Sequence, residues 1–341
     1  MAVDLSKPST PSLPVELVIE IIQQAWGSPL TNKDRMHLFC SFCLVSRTWL
    51  SIFIRIALAD VHITSPTFVS HYFYLLRERG LGDERDNDYQ LVNAGATINR
   101  LCRSITFRIE EKSLKTLWLT SKPGWTNPDG SHEPAVAVRN FLSHLDDVGP
   151  TLPNLRKITL EYVDCSWGFD DLFEISRLYS FPSQIDHLEV KFTGIATPSK
   201  LFLFHYPQYH QALTLSYNAS QSHIRRLSLS RAPTVVILAL VEMCPELEDL
   251  EIIDPFTTLS RVALPSTLRT LRLHGTPSLV SGGQHDPWGL AGAMESEGGL
   301  FSAGASQRLV MYGEGKTEFL KKLCDRNNVS FVHEPPQSLL L

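Results

Sequence analysis

A six-residue pattern that returns five times constrains this chain most: Leu155-x-x-Ile158-x-Leu160, Ile185-x-x-Leu188-x-Val190, Ile224-x-x-Leu227-x-Leu229, Leu247-x-x-Leu250-x-Ile252 and Leu268-x-x-Leu271-x-Leu273. The last two apolar positions of each unit are two residues apart, the spacing of side chains on one face of a strand. A strand this short cannot bury its leucines alone, so the units must stack on one another. Starts 30, 39, 23 and 21 residues apart leave room for a turn or helix that carries the chain back to the next strand. Weaker copies at Cys102-x-x-Ile105-x-Phe107 and Leu114-x-x-Leu117-x-Leu119, an alternating run at 61–64 and apolar stretches at 309–312 and 329–332 extend the series both ways. Helices are expected at 68–76, 135–145, 169–178, 234–244 and 317–324. Pro153, Pro182, Pro245 and Pro265 precede strands, where they stop a helix.

Within each strand the intervening residues point to the opposite face. They are Lys157, Thr159 and Glu161; His187, Glu189 and Lys191; Arg226, Ser228 and Ser230; Asp249 and Glu251; and Thr270, Arg272 and His274. In a parallel stack their middle members fall into line. Thr159, Glu189, Ser228, Glu251 and Arg272 are therefore the candidate stripe for binding a protein substrate, on a solvated face where neither sign of charge dominates. Residues 80–95, 121–134 and 275–305 read as excursions, and the glycine-rich last one as a mobile loop.

Upstream of the strands the periodicity is helical. Residues 1–12, rich in Ser and Pro, form a tail too polar to bury. From there Leu13, Leu17 and Ile21 share a helical stripe with Val18 and Ile22, and Pro14 sits in the first turn, where its missing donor costs nothing. Gly27-Ser28-Pro29 ends this helix. A second, from Met36 to Trp49, places Leu38, Phe42, Val45 and Trp49 three or four residues apart, and a short third runs through Ile52, Ile56 and Leu58.

With 341 residues, 43% of them hydrophobic, the chain can bury roughly 75% of its unfolded surface. A net charge of −5 argues against nucleic acid as the partner. No apolar stretch approaches the roughly 18 residues of a membrane span, and the acid and prolines near the start do not fit a signal peptide. Six cysteines without the density of a disulfide scaffold point to a reducing compartment.

Leu13-Pro14, Glu16-Leu17 and Ile21 at one end, and Val45-Ser46-Arg47 and Trp49 at the other, resemble the opening and closing halves of an F-box. The resemblance covers about residues 13–60. The strands that follow are similar to the irregular leucine-rich repeats of fungal-type F-box proteins. The resemblance implies an α/β chain: a three-helix F-box at 13–60, then a leucine-rich-repeat solenoid at 61–337. It implies that Leu13, Pro14, Leu17, Ile21, Val45 and Trp49 dock on a Skp-type adaptor, and through it on cullin and RING subunits of a ubiquitin ligase. The repeats would hold the protein to be ubiquitinated, with no catalysis and no cofactor on this chain, in the cytoplasm or nucleus. A repeat scaffold without ligase association is the alternative. Physical reasoning agrees in kind, because a small helical unit with more apolar positions than its core can use presents a face to a partner helix.

Motifs for chemistry are sparse. Cys40-x-x-Cys43 lacks the second pair of a zinc site, and the strand and helix start of a redox site. Gly313-Glu-Gly-Lys-Thr317 has Val310 where a phosphate loop needs its first glycine. His132-Glu133 has no second histidine at zincin spacing, there is no Gly-x-Ser-x-Gly elbow, and the twelve histidines form no evident pair.

Overall fold

A computed structural model describes residues 13–63, 68, 72, 99–110, 152–163, 184–193, 223–232, 234–253, 259, 264–274, 290, 307–313 and 318–334. The tail at 1–12, the excursions at 80–95 and 121–134, the copy at 114–119 and the helices at 135–145 and 169–178 lie outside these residues. So do all but two positions of the helix at 68–76 and all but Leu290 of the 275–305 loop. The chain divides into two compact units, one ending at Asp60 and the other starting at Val61.

The first unit is three helices: α1 (Val15–Gly27), α2 (Asn32–Val45) and α3 (Arg47–Ala59). Its core is Val18, Ile22, Trp26, Phe42 and Phe53, with Trp26 and Phe42 against the Phe53 ring at 5.1 and 5.2 Å. Two expectations change here. The inward stripe of α1 is Val18, Ile22 and Trp26, whereas Leu13, Leu17 and Ile21 stay exposed. The run from Met36 to Trp49 is two helices, because Ser46 adopts an extended conformation and its Oγ accepts from the Trp49 N–H at 3.2 Å. A serine at that position satisfies an orphan donor of a new helix, so α3 begins at Arg47 and runs 13 residues. Thr31 caps α2 in the same way through the Asp34 N–H at 3.1 Å.

Arg35 is buried, although arginine almost never is without partners. Its guanidinium donates to the Trp26 carbonyl and, at 3.0 Å, to the Ser28 carbonyl, and lies 4.9 Å from the Trp26 ring centroid. A cation from α2 thus closes the end of α1, where carbonyls lack partners and the helix dipole is negative. Arg35→Leu should lower the stability of this unit by about 1–3 kcal/mol, read by denaturant unfolding, because it removes charge-assisted hydrogen bonds to two carbonyls at the end of α1.

The second unit is a nine-stranded sheet: β1 (Asp60–Ile63), β2 (Ser104–Glu110), β3 (Lys157–Val163), β4 (His187–Thr193), β5 (Arg226–Ser230), β6 (Asp249–Ile253), β7 (Thr270–His274), β8 (Arg308–Tyr312) and β9 (Ser330–Glu334). Strand order follows chain order and every pair from β2 to β9 is parallel, so β1 and β9 are edges of an open sheet. Crossovers of one hand in such an order all fall on one face. Two helices are described among them, α4 (Thr234–Met243) and α5 (Glu318–Arg326), the latter packed on β9.

The recurring pattern sets the register. Ile158, Leu188, Leu227, Leu250, Leu271 and Leu309 pair in one buried line, and Leu160, Val190, Leu229, Ile252 and Leu273 in the next. The first residue of each unit, from Cys102 through Leu155, Ile185, Ile224, Leu247 and Leu268, is buried as well. Pro245 follows the helix that ends at Met243, as expected of a stop, and Pro153 and Pro245 also take part in turns. Leu155 N donates to Leu152 O and Leu247 N to Cys244 O, each spanning a four-residue turn with proline second. Paired N–H groups then meet one carbonyl of the preceding unit: Asp186 and His187 on Arg156 O, Arg225 and Arg226 on Asp186 O, Glu248 and Asp249 on Arg225 O, Arg269 and Thr270 on Glu248 O. The backbone repeats even where the spacing does not.

Candidate functional site

Two surfaces hold the residues singled out from sequence. On the helical unit, Leu13, Pro14, Leu17, Ile21 and Val45 are exposed. One hundred degrees per residue puts Leu17 and Ile21 on one flank of the buried stripe and Ile19 on the other, with the exposed Val15 in line with the stripe at the helix start. The apolar arc of α1 is therefore about twice as wide as its core uses, leaving Glu16, Glu20, Gln23 and Gln24 for the remainder. Met36, Phe39 and Leu44 are exposed on α2, Leu44 at 85%. Trp49 differs from the others: it is half-buried, 5.7 Å from the Phe42 ring, and belongs partly to the core. Cys40 is exposed on the same helix, and burial, with Cys40 nearby, pushes the Cys43 thiol up, opposite to the shift of a reactive cysteine.

On the sheet, the register brings Thr159, Glu189, Ser228, Glu251 and Arg272 into one line across β3 to β7. Thr106 on β2 extends it at one end, and β8 and β9 continue it at the other only with Val310 and Val332. Its expected solvation holds in part for Glu189, Glu251 and Arg272, which are partly exposed, and is corrected for the two short side chains. Thr159 and Ser228 are only 4% and 8% exposed, and the line is hydrogen-bonded to itself and to both neighbouring lines. Polar side chains at this depth need partners, and here adjacent strands supply them.

Two carboxylates organise the network. Glu189 accepts from Thr159 Oγ1 at 3.0 Å and meets the ammonium groups of Lys157 and Lys191 at 2.8 and 3.0 Å. Burial opposes its ionisation, but Lys191 and Lys157 outweigh burial and hold the carboxyl at about 2. Glu251 accepts from Ser228 Oγ at 2.9 Å and faces His274 Nε2 at 2.8 Å, and the bond to His274, against burial, holds its carboxyl low. His274 stacks on Tyr312, centroids 4.1 Å apart. Arg272 reaches Asp249 at 3.5 Å, and Arg108 meets Glu161 at 3.0 Å. The individual residues were legible as one face; the pairing of His274 with Glu251 was not, because 23 residues separate them and only the register makes them neighbours.

His187 Nε2 lies 3.4 Å from Ser228 Oγ. That hydroxyl spends its one proton on Glu251, so His187 donates and Ser228 accepts. A serine held this way differs from a nucleophile: the histidine is not placed to take its proton, and the carboxylate orients the serine instead of the imidazole. Among the described residues, no group of three or more His, Cys, Asp or Glu side chains could hold a metal, and no helix is long and apolar enough to cross a membrane.

Glu189 gives a pH prediction. Its folded-state value lies below the ordinary 4.5, so its contribution is complete above that pH and is lost as pH falls toward 2. Glu189→Gln should be less stable than wild type at neutral pH, with the gap narrowing below pH 4.5 and closing near 2. Denaturant midpoints across that range check it; a constant gap would mean that the two lysines contribute nothing through charge.

Comparison with protein-family models, curated proteins and solved structures finds no match to this chain.

Proposed function

We propose that this chain is the non-catalytic substrate-recognition subunit of a Skp/cullin/F-box ubiquitin ligase. Residues 13–60 act as the F-box, and 61–337 as an irregular leucine-rich-repeat solenoid whose polar face holds the protein to be ubiquitinated. One observation carries the reading. The helical unit closes its core with Val18, Ile22, Trp26, Phe42 and Phe53 while Leu13, Leu17, Ile21 and Val45, from both halves of the F-box pattern, remain exposed. Exposed aliphatics repeated along a helix mark a protein interface. The sheet adds support: a polar line crosses successive strands and draws on residues from 106 to 272. Ordered, internally paired side chains of this kind give specificity without chemistry.

Affinity capture of the tagged full chain from cells, probed for adaptor and cullin, tests the proposal. Both should be recovered. Capture of other partners with neither of these, from folded protein, would overturn the ligase reading and favour a scaffold without ligase association.

A further inference from the structure

We propose that Lys157, His187 and Arg226 form a subsite for a compact oxyanion, a carboxylate or phosphate group carried on a side chain of the bound protein. The proposal rests on reading the polar face as the recognition surface.

The three residues are direct register neighbours on β3, β4 and β5, at the end of the strands where the polar face begins. Adjacent strands lie about 4.8 Å apart, so long side chains from the outer two can converge on a small group above the middle one. The charges leave a surplus. Lys157 and Lys191 share the single carboxylate of Glu189, so two cations meet one anion. Arg226 is exposed, and Asp249, its neighbour on β6, is engaged by Arg272. Among the described residues no carboxylate forms an ion pair with Arg226.

His187 lies between these cations. Its surroundings are Lys157 on β3, Asp186 and Glu189 on its own segment, Arg226 and Ser228 on β5, and Glu251 beyond Ser228. Burial disfavours its charged form, Lys157 and Arg226 add to that, and Glu189 and Asp186 oppose it. With Nε2 donating to Ser228, Nδ1 is the nitrogen that takes up a proton. An oxyanion seated between Lys157 and Arg226 would favour that proton. Anion binding and protonation of His187 then strengthen each other reciprocally.

The test uses the full chain carrying carbon-13 histidine, with the His187 resonance assigned by its loss in His187→Gln. Its titration is followed with sulfate, whose charge is constant over the range, against chloride at equal ionic strength. Sulfate should raise the His187 midpoint by about half a pH unit or more and leave the other histidines unmoved. Arg226→Gln, with its remaining histidine resonances unchanged, should abolish that rise. Acetate separates the two sources: a rise with acetate as well identifies a carboxylate site, and a rise with sulfate alone a site for the doubly charged group. A midpoint indifferent to both anions, or an equal rise in Arg226→Gln, overturns the proposal. Adaptor binding measured on the same samples is independent of this result, so failure of the subsite and failure of the ligase reading are distinguishable.

Discussion

Leu227→Asp is expected to leave the sheet unit unfolded. Leu227 is 1% exposed on β5, with Leu188 and Leu250 beside it in register. Deleting such a side chain costs about 2–5 kcal/mol through lost contacts and a cavity. Aspartate adds a buried carboxylate in an apolar line, which costs several kcal/mol more. The sum rivals the whole net stability of a domain, about 5–15 kcal/mol. Ser228→Ala, one residue along and on the opposite face, removes the hydroxyl between His187 and Glu251 and should cost only about 1–2 kcal/mol. Circular dichroism melts of the two variants give the contrast. A Leu227→Asp protein melting like wild type would mean that the buried leucine lines do not carry the fold.

The second large effect concerns the helical unit. Leu17→Asp combined with Ile21→Asp should abolish adaptor binding, weakening it about a hundredfold or more, while the protein remains folded. Both side chains are already 46% and 43% exposed, so charge there has little desolvation to overcome in the free protein. In a complex the same carboxylates would be buried against an apolar partner surface without a counter-charge. Val18→Asp, one residue from Leu17 but 3% exposed, should instead unfold the unit. The pair of variants separates a binding face from a packing face on the same helix. Binding retained by the Leu17 and Ile21 double variant would place the adaptor elsewhere.

The strands were the most legible part of the sequence. Leu-x-Leu spacing is set by the two-residue period of extended chain, and its recurrence fixes register, because a one-residue slip would turn every leucine outward. Helical apolar residues are less decisive. On α1 seven of them spread over a wide arc, and only packing against Phe42 and Phe53 selects Val18, Ile22 and Trp26 as the inner three. The break at Ser46 carried a signal that periodicity hides, a capping hydroxyl three residues before Trp49. Arg35 gave none, since nothing in its neighbours marks an arginine that will turn back to close the preceding helix. The polar line was placed correctly as a face but judged by residue type as solvated. Thr159 and Ser228 are buried because long side chains on neighbouring strands, Lys157, Glu189 and Glu251 among them, fold over the short ones.

Titration calorimetry of the full chain against a purified Skp-type adaptor tests the central claim most directly. Saturable one-to-one binding at micromolar affinity or tighter, about −8 kcal/mol or stronger, is the expected result, lost in the Leu17→Asp, Ile21→Asp variant and kept in Glu189→Gln. No binding by a folded wild-type chain at adaptor concentrations of about 100 μM would contradict it.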